Sequence, residues 1–241
     1  MSHDPNNFKT QGNTVYNSSK SVDKGLQAHM HKVYHLMTFG LGITGITAFA
    51  ISSMPALFNA IFTSPLAFVV MFAPLAFLWF GFTPNKIAKY PASKLQSTFF
   101  IFSAIMGVSM ATIFIVFTSA SIARVFFITA ATFTATSLYG YVTKKDLSGF
   151  HSFLFMGLIG IIIASIVNIF IHSEMIHFIV SIVGVLVFTG LTAFETQRMK
   201  QMYRAGQDEA NSKLAIVGAL GLYLNFINLF QILLNIMGDR R

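Results

Sequence analysis

Apolar residues are grouped into long blocks that recur from about residue 33 to the end of the chain. A membrane-spanning helix needs about 20 mostly apolar residues. Helices also satisfy the backbone polar groups of such blocks inside lipid. The blocks predict seven spans, near residues 33–53, 57–81, 95–117, 122–142, 150–171, 176–197 and 214–237.

The breaks between these blocks are short. Only Ser52, Ser53 and Pro55 separate the first two, and the breaks near Ala120 and Ser173 are equally brief. Short connections predict that neighbours in sequence are antiparallel neighbours in space. The expected fold is therefore an all-α membrane protein, a seven-helix transmembrane bundle.

The polar residues before the first block suggest a separate N-terminal segment. Residues 1–32 are rich in Asn, Gln, Ser and Lys, and we expect a mobile cytoplasmic tail there. The first apolar block starts too late, and is too long, for a cleavable signal peptide. We expect two regions: a tail over residues 1–32 and a transmembrane domain over residues 33–241.

Composition excludes an ordinary soluble domain. Hydrophobic residues make up 54% of the chain and charged residues 10%, where a soluble domain carries about 25% charged residues. Mean hydropathy is +0.67. The absence of cysteine excludes disulfides, thiolate chemistry and cysteine metal sites.

The basic residues indicate topology rather than nucleic-acid binding, although the formal net charge is +8. They lie in the short loops, and alternate loops of seven spans share a side of the membrane. Cytoplasmic loops are enriched in Lys and Arg, which predicts a cytoplasmic N-terminus and an external C-terminus. One side takes Lys9, Lys20, Lys24, Lys32, Lys86, Lys89, Lys94, Lys144, Lys145, Arg198, Lys200, Arg204 and Lys213; the other takes Arg124, Arg240 and Arg241.

One acidic residue, Glu195, falls inside an apolar block, near its cytoplasmic end. A carboxylate at the centre of a transmembrane helix costs roughly 2.5–3.5 kcal/mol on insertion scales, and such residues mark ion or proton routes. The alternative is an interfacial Glu paired with Arg198, one helical turn away. Thr192 lies on the same span and is a supporting candidate.

The last span carries small and polar residues at spacings of three or four. Small residues let helices approach closely, and amides hydrogen-bond across an interface, so we expect this helix to be enclosed by others. The alternative is that the stripe serves only helix packing. Its members are Gly218, Gly221, Asn225, Asn228, Gln231 and Asn235.

Other polar groups are better explained by structure than by chemistry. We expect His172, Glu174 and His177 in a solvated loop, and His29, His31 and His35 in a polar juxtamembrane segment. Gly160, Ala164 and Asn168 are spaced as a close-packing helix face, and Thr132, Thr136 and Ser137 are expected to bond back to their own helix. No nucleotide-binding, nucleophile-elbow or zincin motif is present, so we expect no enzyme and no resident cofactor.

Three segments carry a family resemblance. Residues 184–198 read GVLVFTGLTAFETQR, residues 143–148 read TKKDLS, and residues 218–230 read GALGLYLNFINLF. Together they resemble the Bax inhibitor-1 family, also called the transmembrane Bax inhibitor motif family, from about Met30 to the end. The resemblance implies six helices wrapped around a central seventh, and a calcium leak controlled by pH.

The implied pH sensor is a pair of aspartates that share a proton, one in the sixth span and one in the seventh. Two nearby carboxylates cannot both ionise easily, and deprotonation separates the helices. Here the first position is Glu195 and the second is Asn225, which cannot ionise. Both side chains offer oxygens to Ca²⁺, but the physical basis of the switch is weakened. The family also has a basic latch after span two, for which Lys86 is the nearest residue.

Two functions remain open. The first is a cation leak past Glu195 and Asn225, supported by Arg198, Thr192, Asn228 and Gly221, with Ca²⁺ or H⁺ as the permeant ion. The second is a non-conducting regulator that binds a membrane protein such as a protease, through the Arg198–Lys213 loop for instance. The lipid bilayer is the expected environment and nucleic acid is not an expected partner. Short loops and the lack of an organelle signal favour a bacterial inner membrane.

Overall fold

The computed structural model describes residues 6–241, with side chains from Lys24 onward. Over these residues the chain is all-helical, with one isolated bridge between Phe117 and Arg240. The helices are α1 (Asn6–Ser52), α2 (Pro55–Phe62), α3 (Leu66–Gly81), α4 (Pro84–Lys89), α5 (Ala92–Met110), α6 (Ile113–Val116), α7 (Ser119–Val142), α8 (Ser148–Ile171), α9 (Glu174–Met202) and α10 (Asp208–Met237).

Six stretches of the described chain are long and apolar enough to cross a membrane. The chain is therefore a multi-pass membrane protein. The stretches are Lys24–Ser52, Ala92–Val116, Ser119–Val142, Ser148–Ile171, Glu174–Met202 and Asp208–Met237.

The second predicted span is broken. Helices α2 and α3 pass the same test only together, and they meet at an angle of 83°. Thr63 Oγ1 bonds back to the Asn59 carbonyl at 2.6 Å and Ser64 Oγ to the Ala60 carbonyl at 2.7 Å. Pro65 then starts α3 without a backbone N–H to continue the ladder. The chain has seven spans only if α2 and α3 together form one span, so the count of seven stays a prediction.

The division drawn at residue 32 falls inside α1. Residues 24–32 are helical, and His29 and Met30 are buried, which differs from the polar tail that composition suggested. Polar composition is a weak guide here because Met30 and its neighbours pack against the bundle. The prediction of a mobile tail concerns mainly residues 1–23. Residues 1–5 and the side chains before Lys24 lie outside the described structure.

Helix α10 lies against α1, α5, α7 and α9. Fourteen of its 30 residues are buried. Tyr223 is fully buried: its ring packs edge-on against Phe99 and Phe102, and its hydroxyl lies 2.6 Å from Thr44 Oγ1. The Tyr223 side chain thus joins α10 to α5 through aromatic packing and to α1 through a pair of hydroxyl groups.

Helix α8 contrasts with α10 because none of its residues is buried. It packs against α9 along one side. The prediction that Gly160, Ala164 and Asn168 form a close-packing face is wrong at Gly160. A Cβ on Gly160 would meet no atom within 4 Å, and the Asn168 side chain instead accepts a hydrogen bond from the Ser173 N–H at 3.0 Å. Small residues permit close packing but do not require it.

The basic loops gather at one end of the bundle, which we call the basic end. Lys32 Nζ bonds Ser212 Oγ at 2.9 Å, and Lys213 Nζ bonds the Ala88 carbonyl at 3.0 Å. At the opposite end Arg124 pairs with Asp239 at 2.9 Å. The two ends therefore differ in charge as the loop pattern predicted.

Candidate functional site

Helices α9 and α10 pack closely and antiparallel, because glycines leave room where side chains from the other helix point. This register brings the carboxylate-bearing segment of α9 against the glycine-rich segment of α10. The facing pairs are Met199 with Gly218, Glu195 with Gly221, and Gly184 with Ile232.

Glu195 lies in this interface. Its Cδ and Oε2 atoms are each 3.7 Å from the position a Cβ would take on Gly221. Its side chain is only 19% exposed, whereas Arg198 is 47% exposed. Arg198 Nη1 donates to Glu195 Oε1 at 3.3 Å, a long pair for a charge-assisted bond. Glu195 therefore faces a helix interface and also contacts Arg198.

Asn225 is buried one helical turn beyond Gly221, and its Nδ2 atom has no hydrogen-bond partner within the described structure. Extending the register puts Asn225 opposite the segment around Leu191 and Thr192. One turn of helix, about 5.4 Å along the axis, thus separates it from the level of Glu195. The two side chains form no mutual hydrogen bond in the described part. A buried donor without a partner costs about 1–3 kcal/mol, so this amide is poorly accommodated by packing alone.

The supporting residues divide into two groups. Gly221 directly faces Glu195, as described above. Thr192 is fully buried and donates to the Phe188 carbonyl at 2.8 Å, while Asn228 donates to the Leu224 carbonyl at 2.8 Å. Asn235 likewise bonds back, to the Gln231 carbonyl at 2.9 Å.

The expectation that the amides of α10 bond across the interface is therefore wrong for Asn228 and Asn235. A carbonyl one turn earlier lies within reach of each side chain without any movement of a neighbouring helix. Asn225 is the buried amide that this local bond does not satisfy, which distinguishes it chemically from the rest of the stripe.

The other sequence candidates lie elsewhere. Lys86 donates to the Phe80 carbonyl at 2.7 Å rather than to Glu195, so it caps α3 instead of latching the site. His172 ends α8 in a left-handed conformation and is exposed. Glu174 lies in the first turn of α9. No group of three or more His, Asp or Glu side chains gathers anywhere in the described residues.

Sequence reasoning missed Gln197, which fixes the loop before α8. Its Nε2 donates to the Lys145 carbonyl at 2.8 Å, and its Oε1 accepts from the Leu147 N–H at 2.8 Å. The signal was available, since a buried Gln near the end of an apolar span must find two partners. The loop segment that carries the family resemblance is thus bonded directly to the segment that carries Glu195.

Sequence reasoning also missed a chain of hydroxyl groups that links three helices. Tyr34 Oη lies 2.6 Å from Ser137 Oγ, which lies 2.9 Å from Thr196 Oγ1. Ser137 was expected to bond back to its own helix, and that expectation is wrong because the hydroxyls of α1 and α9 are close. Thr132 and Thr136 do bond back, to the Ile128 and Thr132 carbonyls.

Comparison with known proteins agrees with the resemblance. The family model described as "Inhibitor of apoptosis-promoting Bax1" matches residues 26–241. An uncharacterized protein of Rickettsia prowazekii is 40% identical over 229 residues, covering 95% of this chain and 96% of the relative. Inner membrane protein YbhL of Escherichia coli is 44% identical over 221 residues, covering 90% and 94%. An uncharacterized membrane protein of Streptococcus pyogenes is 32% identical over 218 residues, covering 90% and 94%. With its multi-pass helical architecture and these matches, the chain belongs to the Bax inhibitor-1 family.

Proposed function

We propose that this protein is a cation leak in a bacterial inner membrane, with a path along the α9–α10 interface past Glu195 and Asn225. One observation carries the proposal. A partly buried carboxylate lies against a glycine, and one turn along α10 the buried Nδ2 atom of Asn225 has no hydrogen-bond partner among the described residues. Polar groups inside a membrane protein that packing leaves unsatisfied are the expected lining of an ion route.

The chemistry of the two side chains favours a passing cation over a resident one. Ca²⁺ takes six to eight oxygen ligands, and the carboxylate and amide supply only a few. A site with few protein oxygens leaves the ion partly hydrated, so it can leave again. We therefore treat Ca²⁺ as the permeant ion and propose no bound cofactor. Conduction requires binding weak enough to permit release.

The proposed leak has a weak response to pH. A pair of nearby carboxylates titrates as a unit because each charge opposes the other. Asn225 removes that repulsion, and Arg198 offers Glu195 a fixed positive partner at 3.3 Å. Opening therefore depends less on proton concentration than in a relative that has two acidic residues.

Topology and class are part of the same proposal. We propose seven spans, with α2 and α3 forming the second, a cytoplasmic basic end and α10 enclosed by the others. The location is supported by the relative known as inner membrane protein YbhL, and the orientation by the excess of Lys and Arg at one end. We also propose that the protein is not an enzyme, because the sequence contains no known catalytic motif.

The test is calcium uptake into liposomes that contain the purified protein, at about pH 6 and about pH 8. We expect flux in the natural protein and a loss of at least tenfold in Glu195→Gln. Asn225→Asp should make the ratio of the two rates larger, because it restores a second carboxylate. Glu174→Gln is the matched control, since it removes an exposed carboxylate from the first turn of the same helix and should leave the rate unchanged.

A regulatory function without conduction is the second candidate, and one observation favours it. The turn before α10 is exposed yet well ordered by Asn211, whose side chain accepts from the Arg204 N–H at 3.2 Å and donates to its carbonyl at 2.6 Å. A rigid, charged loop suits recognition of another membrane protein, such as a protease. Absence of flux in both the natural protein and Asn225→Asp would favour this candidate and contradict the leak.

A further inference from the structure

A long cleft runs between α1 and α7, away from the Glu195 site. Its volume is about 1080 Å³, and Phe226 of α10 contributes to its lining. Both helices pack on α10, so the cleft opens between two spans rather than inside the bundle. Its wall on α1 extends from Gln27 to Ile46. At 1.5 Å per residue that is about 29 Å, close to the thickness of the hydrocarbon core.

The middle and far end of the cleft are apolar. Met37, Leu41 and Ile46 line it from α1, and Phe126 and Phe133 line it from α7. Gly42 and Gly45 face open space, because a Cβ built on either would meet nothing within 4 Å. Of the polar groups halfway along, Tyr34 and Ser137 are paired with each other. An occupant therefore needs a long apolar part at this level.

The end of the cleft nearest the basic end of the bundle is different. Gln27, His31 and Tyr141 line it. Lys24 lies seven residues before His31, so helical periodicity puts both on one face of α1. Lys200 Nζ bonds the Tyr141 carbonyl at 2.7 Å. We call Lys24, His31 and Lys200 the cleft rim. Positive charge is thus concentrated where a lipid headgroup would lie.

We propose that the cleft is a binding site for an anionic phospholipid of the surrounding bilayer. One acyl chain lies along α1 and α7, and the phosphate contacts the cleft rim. Charge complementarity selects an anionic headgroup, since each Lys near the surface strengthens attraction to acidic lipid by about fivefold. A transmembrane helix is a poor fit, because a cylinder of about 10 Å diameter and this length occupies roughly twice the cleft volume.

The experiment is native mass spectrometry of the full-length protein in detergent, titrated with dioleoyl phosphatidylglycerol or dioleoyl phosphatidylcholine. We expect one phosphatidylglycerol molecule to bind tightly, and phosphatidylcholine to bind at least tenfold more weakly. Gly45→Leu should abolish this site by filling the cleft. Gly160→Leu is the matched control, because it adds the same side chain at an equally open glycine of α8 and should bind lipid normally.

A second pair of variants tests the headgroup contact. The double variant Lys24→Gln/Lys200→Gln should weaken the binding of phosphatidylglycerol by about 25-fold and leave the binding of phosphatidylcholine unchanged. Lys89→Gln/Lys94→Gln removes the same charge from the end of α4 and the start of α5 and should have little effect. Equal binding of both lipids, or unchanged binding in Gly45→Leu, would overturn the proposal. Replacement of bound lipid by a dimer that Gly45→Leu dissociates would assign the cleft to a second copy of the chain.

Discussion

Helices α8 and α10 show that apolar character and burial are different properties in a membrane protein. Of the six candidate spans α8 has the highest mean hydropathy, yet none of its 24 residues is buried. Helix α10 has lower mean hydropathy and 14 buried residues. Lipid solvates apolar side chains as well as a protein interior does, so small and polar residues mark the packed helix instead.

The largest effect is expected at Tyr223 of α10. Tyr223→Ala removes a fully buried ring and its bond to Thr44, which should cost about 3 kcal/mol. Thermal unfolding in detergent should show a decrease in Tm of about 6–12 °C. Phe153→Ala in α8 is the control, because Phe153 is 71% exposed. A comparable decrease in Phe153→Ala would contradict the contrast.

Gly140 tests the same contrast at the backbone. A Cβ at Gly140 would collide with the Ala193 carbonyl of α9, so Gly140→Ala must move α7 away from α9 and should cost about 1–3 kcal/mol. Gly160→Ala in α8 meets no neighbour and should be neutral, or stabilising by roughly 0.5–1 kcal/mol through helix propensity. Urea or thermal unfolding measures both. A neutral Gly140→Ala would mean that α7 and α9 are not held in close contact.

Gln197 tests how α8 is attached, since burial does not hold it. Gln197→Ala removes both bonds to the loop before α8. It leaves the buried Leu147 N–H and the part-buried Lys145 carbonyl without these partners, at a cost of about 1–2 kcal/mol. Amide hydrogen exchange should rise in residues 143–150 more than in α10. Gln201→Ala, an exposed position on the same helix, is the control. Uniform exchange across the protein would show that Gln197 does not act locally.

The smallest effect on stability is expected from replacing Asp146, and this effect should depend on pH. The Ser148 N–H donates to Asp146 Oδ1 at 2.9 Å, and this backbone bond holds the pKa of the Asp146 carboxyl below its usual value. A lowered pKa stabilises the fold above the unfolded pKa of about 3.9, and this contribution is lost as pH falls through the folded value. Asp146→Ala should therefore lower the Tm slightly at pH 7. The difference should shrink as pH falls below about 3.9, and a difference that grew on acidification would contradict the assignment.

Much of the architecture is readable from the apolar blocks. Five of the seven predicted spans begin and end within about five residues of a helix or a helix pair, because lipid thickness fixes their length. The first and last predicted spans are too short, since α1 and α10 begin before the apolar block. The bend at Ser64 and Pro65 was not predicted, because that break lies within one continuous apolar run.

The site was only partly readable. Glu195 stands out in the sequence because charged residues are rare inside an apolar block. Gly221 stands out because glycines allow two helices to approach closely. The sequence could not show that Asn225 Nδ2 lacks a partner in the described part of the chain while Asn228 and Asn235 have one, since that depends on which side of α10 each neighbour covers. The same limit applies to Gln197 and to the cleft between α1 and α7, which follow from how helices distant in sequence pack.

The hydroxyl chain from Tyr34 through Ser137 to Thr196 has a consequence for biogenesis. Its members belong to α1, α7 and α9, so the first enters the membrane long before the last leaves the ribosome. Until α9 arrives, the hydroxyls of Tyr34 and Ser137 lack a third member of their network, and polar groups in hydrocarbon are costly. The early helices are therefore expected to stay near the insertion machinery, or loosely associated, and to consolidate only after α9 is inserted. A chain that stops before α9 should be an early substrate for membrane quality control.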